Sequence, residues 1–104
     1  MNFDDIVKAV DLNGVQAILE SPIHGYNWSR ERSTFAIVGY HRFLFLRLAG
    51  YKRLFISPDI EAVWQQHILD TRAYAYDCQK VFGYFVHHMR PSIGSITCWD
   101  TPSN

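Results

Sequence analysis

Cysteine, proline, glycine and net charge are all scarce in this chain of 104 residues, and each scarcity excludes something. Cys78 and Cys98 are too few for a disulfide framework, and free thiols fit a reducing compartment. The start, Met1-Asn2-Phe3-Asp4-Asp5, lacks the basic residues and apolar run of a signal peptide, so a cytoplasmic protein is expected. The longest apolar stretch, Phe43 to Leu48, is interrupted by Arg47 and is far too short to span a bilayer, so no membrane partner is expected. Glycine-rich phosphate loops and nucleophile elbows are missing, which removes the commonest nucleotide-binding and acyl-transfer signatures. Ten basic residues cancel ten acidic ones, arguing against a protein that coats nucleic acid or anionic membrane through bulk charge.

What the chain has in quantity is apolar and aromatic surface. Hydrophobic residues make up 48% of it and Phe, Tyr and Trp alone 15%, enough to close one sizeable core. One domain over residues 1–104 follows, with the tail irregular from about residue 89 because Pro91, Gly94 and Pro102 break any periodic pattern. Charge is uneven along the chain. Arg30, Arg32, Arg42, Arg47, Lys52 and Arg53 stand against Glu31 alone, and this middle third is the electrostatic footprint.

Helical signals run through the rest. Asn2 caps a short first helix with Asp4 and Asp5 in its first turn. Leu12, Val15, Ile18 and Leu19 mark a second helix that ends at Ser21-Pro22. From Ser29 to Ala49 a dense pattern of Phe35, Ile37, Val38, Phe43, Leu44, Phe45 and Leu48 predicts a long, largely buried helix stopped by Gly50. Ser57-Pro58-Asp59 starts another, whose apolar face holds Ile60, Val63, Trp64, His67 and Ile68. Asp70-Thr71 either caps a fresh helix or lies inside a continuous one. Tyr74, Cys78, Val81 and Phe82 continue the template to Gly83, and one more helical turn is expected after it. The fold class is therefore all-α, a single compact domain of four or five helices, and Ile93, Ile96 and Trp99 suggest that part of the tail packs back on it.

Two residue groups are candidates for function. His67, Asp70, Cys78, His87 and His88 are zinc- or iron-ligand types, and His67 and Asp70 share a helical face if that helix is unbroken. Their spacing matches no standard zinc pattern, and an inward histidine or free cysteine is more often a packing residue. Arg42, Arg47, Tyr51, Lys52 and Arg53 form the second group, suited to a protein partner because arginine and aromatic side chains are enriched at interfaces. RNA binding through residues 30–53 is a further alternative, although cations at a helix C-terminus need no nucleic acid to explain them. Tyr40, Tyr51, Tyr74, Tyr76 and Tyr84 read as core edges.

The ordered run Pro58-Asp59-Ile60, Trp64, His67-Ile68-Leu69-Asp70-Thr71, Tyr74, Asp77-Cys78, Phe82-Gly83 and His87-His88, with Tyr40-His41-Arg42-Phe43-Leu44 upstream, resembles the glycine-rich-domain-containing-protein-like family in its small bacterial members. The resemblance covers about the central half of the chain and implies a compact helical domain without an assigned reaction. Where that family has Trp-His-x-His, this chain has Trp64-Gln65-Gln66-His67, and glutamine is a poor metal ligand; the segment after His88 is also one residue longer. The function expected is a small non-enzymatic protein that binds and regulates another protein, with no cofactor; a zinc or iron protein, with or without activity, is the alternative.

Overall fold

A computed structural model describes residues 1–88 and the backbone of residues 96–98. Five helices form in the order α1 (Phe3–Ala9), α2 (Asn13–Glu20), α3 (Arg30–Leu48), α4 (Pro58–Leu69) and α5 (Thr71–Phe82). Two three-residue strands, β1 (Arg53–Phe55) and β2 (Ile96–Cys98), pair antiparallel with Leu54 opposite Thr97. The domain is all-α apart from this ribbon, which the helical reading had not included. Strand β2 brings the chain back to β1; Ile93 and Trp99 lie outside the described residues.

Local chemistry sets the helix ends. Asn2 and Asp5 form a reciprocal capping box at α1. The Ser29 and Ser57 hydroxyls accept from backbone N–H groups of α3 and α4, and Pro58 occupies the first turn of α4, where its missing N–H leaves no bond unmade. Helix α3 ends in a Schellman turn: Gly50 takes a φ of 108°, its N–H donates to Arg47 and that of Tyr51 donates to Leu46. Gly83 closes α5 in the same left-handed region. The chain does break at Asp70, whose carboxylate accepts from Ala73 N–H and caps α5. Among the described residues no helical turn follows Gly83: residues 84–88 are extended or bent, with His87 in a bridge.

Helix α3 is the hub, packing against α1, α2 and α4, while α4 also packs on α5. Ile6, Leu19, Tyr40, Val63, Trp64 and Tyr74 are almost fully buried. Each such side chain contributes roughly 1.5–3 kcal/mol relative to exposure. Phe43 and Trp64 meet between α3 and α4 with ring centroids 5.0 Å apart. The inward face of α3 comprises Ser33, Ala36, Tyr40, His41, Phe43, Leu44 and Arg47. Phe35 and Val38, which the apolar pattern assigned to a buried helix, point outward at 83% and 41% exposure. The helix is apolar on both sides, so only packing against its neighbours selects the buried one.

Candidate functional site

The five metal-ligand candidates do not converge on one point among the described residues. His67 is 3% exposed and both its ring nitrogens are engaged: Nε2 lies 2.8 Å from Asp77 Oδ2 and Nδ1 lies 2.8 Å from the Tyr40 hydroxyl. A carboxylate only accepts, so Nε2 carries the proton and donates to Asp77; Nδ1 then accepts from Tyr40. Burial lowers the His67 pKa, opposed by its hydrogen bond with Asp77, which favours the neutral ring that this arrangement requires. Asp77 presents its other oxygen to Lys80 at 3.8 Å. A chain Tyr40–His67–Asp77 thus ties α3, α4 and α5 together with every ring nitrogen satisfied.

Cys78 is buried beside this chain. Burial raises its thiol pKa, opposed by hydrogen bonds with the Val86 backbone and the Tyr74 hydroxyl. That hydroxyl donates to the Val86 carbonyl at 2.6 Å and accepts from Trp64 Nε1 at 3.1 Å. His88 pairs with Glu61 and packs its ring 4.2 Å from that of Trp64. His87 is exposed and rests on Phe85; Asp70 lies just past the end of α4, caps α5 and lines one groove with His67. Among the described residues no three histidine, cysteine or acidic side chains gather closely enough to hold a metal ion. Trp64, His67, Tyr74, Asp77, Cys78 and His88 build this interior network.

A groove of about 320 Å³ passes over His67 between α2 and the α4–α5 corner, lined also by Asp11, Val15, Ile18, Gln66 and Asp70. His67 presents it no unengaged nitrogen. Tyr26 extends to this side of the molecule, accepting from Gln66.

The second candidate group is only partly at the surface. Arg47 is 6% exposed and donates from Nη2 to the Tyr84 hydroxyl, so it belongs to the interior and not to a partner surface. Arg42, Tyr51, Lys52 and Arg53 are exposed. Arg42 stands on the outward stripe of α3 with Phe35, Val38, Gly39 and Leu46, and β1 runs beside that stripe, placing Phe55 at 72% exposure. Between them lies a groove of about 130 Å³. Phe35, Val38 and Phe55 were not singled out as surface residues in the sequence; Phe35 and Arg42 are spaced i, i+7, a signal that the dense apolar background hides. Tyr40 and Asp77 were likewise absent from the ligand set, because tyrosine and a second carboxylate are not diagnostic until their distances are known.

The chain matches no protein-family model, no curated protein and no solved structure. Among the described residues no helix is long and apolar enough to cross a membrane.

Proposed function

We propose that this chain is a small non-enzymatic module that binds and regulates another protein, and that it does so through the face formed by α3 and β1. The observation behind this reading is the exposure of Phe55, at 72%, on an apolar groove that Arg42 also lines, together with Phe35, 83% exposed, on the same outward stripe of α3 as Arg42. Water contact with large aromatic rings is unfavourable, and grouped apolar surface with a polar, arginine-bearing rim is the composition of a protein interface. The interior network supports the same reading from the other side. His67, Tyr40 and Cys78 are sequestered and already bonded to one another's neighbours, so their chemistry serves packing.

Capture of host proteins on immobilised full-length chain tests the assignment when three forms are compared. Partners recovered by the wild type should be lost with Phe35→Ser combined with Phe55→Ser, and retained with Leu69→Ser, which removes an equally exposed apolar side chain at the far end of α4. Equal recovery by all three, or loss in both variants, would remove the α3–β1 face as the binding surface.

A further inference from the structure

Resting on that reading, we infer the chemistry of the partner: an acidic segment of another protein with one bulky apolar anchor, the anchor seated between α3 and β1 and the carboxylates lying over Arg42, Lys52 and Arg53. The groove is lined by Gly39, Arg42, Leu46, Leu54, Phe55 and Ile60, with the buried Phe43 and Ile56 beneath. At about 130 Å³ its size suits a single large side chain rather than a rigid cofactor. Gly39 shapes it: a Cβ at that position would stand 2.8 Å from Ile60 Cδ1, so the missing side chain lets Ile60 of α4 reach the helix surface and form the apolar floor.

Charge selects among occupants. At the N-terminal end of α3, Arg30 pairs with Glu20 at 3.2 Å and Arg32 with Asp59 at 2.9 Å. Beside the groove the pattern changes. Arg42 lines the groove and Lys52 and Arg53 immediately precede Leu54 of its wall in the chain; none of the three forms an ion pair with any described residue, and among the described residues no acidic side chain lines the groove. Arg42 at the cavity, with Lys52 and Arg53 exposed in the two positions ahead of Leu54, gives this end of the face a positive charge, in a chain whose total formal charge is zero. A second copy of the chain docking by the same face would set these cations against themselves across a two-fold axis. Nucleic acid would meet three cations but also an aliphatic floor of Leu46, Leu54 and Ile60 that phosphates cannot use, and phosphate-driven binding needs a larger basic surface. An acidic peptide with one anchor satisfies both halves of the site: the anchor removes apolar surface from water, and carboxylates pair with the Lys52 ammonium and with the guanidinium forks of Arg42 and Arg53.

Short random peptides displayed on phage and selected against the full-length chain provide the test. Enriched sequences should carry net negative charge around one Leu, Phe, Trp or Met, and a labelled enriched peptide should shift the backbone amides of Val38, Arg42, Leu46 and Phe55 in NMR spectra. Its affinity should fall about tenfold with Arg42→Glu combined with Arg53→Glu, about tenfold when its own anchor becomes Ala, and steadily with added salt. Enrichment of neutral or basic peptides that shift the same amides would overturn the acidic-partner inference while leaving the face as a binding module. Peptides mapping elsewhere, or no enrichment, would overturn both. Displacement of the peptide by a mixed-sequence RNA oligomer at equal or lower concentration would overturn the inference in favour of nucleic acid.

Discussion

At the scale of single side chains, the Tyr40–His67–Asp77 chain is the strongest constraint on the interior, since each member is buried and each depends on the next. Replacing Tyr40 by Phe keeps the ring and leaves His67 Nδ1 without its donor in an apolar site. Urea denaturation of Tyr40→Phe should show a loss of about 1–3 kcal/mol. In a double-mutant cycle with Asp77→Asn the coupling should exceed about 0.5 kcal/mol, because both substitutions act on one imidazole. The same burial has a pH consequence. His67 and His41 both have pKa values lowered from 6.5 by burial; His41 donates from Nε2 to the Val10 carbonyl at 2.9 Å, which partly opposes the shift. The unfolded chain therefore takes up protons that the folded chain resists. Their contribution to stability is complete above the unfolded value of 6.5 and is lost as pH falls from there through the folded values. The urea midpoint should hold steady above about pH 7 and drop toward about pH 5, and His41→Gln should flatten part of that drop.

At the scale of elements, helix boundaries are written in short-range chemistry. Ser57 receives the Ile60 N–H at 3.2 Å, and Ser57→Ala should cost about 1 kcal/mol, read as a lower urea midpoint with unchanged slope. Such signals are legible in the sequence: Asn2, Ser57, Gly50 and Gly83 all stand where it placed them. Asp70 left two alternatives, because an aspartate before threonine suits a cap or a helix interior equally; the packing of α5 against α4 turns the chain there. The turn expected after Gly83 did not form. Gly83 turns the chain back over α5, where Tyr84 packs on Phe82 and Phe85 on Tyr74, and the buried Val86 accepts from the Tyr74 hydroxyl through its carbonyl.

At the scale of the whole molecule, the fold separates apolar residues that hold it together from apolar residues that do not. Phe43 is 3% exposed and Phe35 83% exposed on the same helix. Thermal and urea unfolding should place Phe35→Ser within about 0.5 kcal/mol of the wild type, whereas Phe43→Ser should lose about 3–5 kcal/mol or fail to fold. A large loss in Phe35→Ser would mean that this ring is a structural contact and would weaken its assignment to a binding face. The candidate site was legible in fragments. Arg42, Tyr51, Lys52 and Arg53 are at the surface as their types suggest, but Arg47, from the same basic run, is folded into the core against Tyr84.

The sequence by itself determined the all-α class, the helical segments and most of their ends, leaving four or five helices, because caps, proline, glycine and the helical period act within a few residues of chain. It also marked His67 and Cys78 as inward. Tertiary structure alone decided which side of α3 is buried, since that helix carries apolar residues around its whole circumference and its neighbours choose among them. It alone joined Tyr40 to His67 across 27 residues, and set β1 beside α3 so that Phe55 and Arg42 edge one groove. Contacts between distant segments depend on which surfaces exclude water together, and no local pattern encodes that.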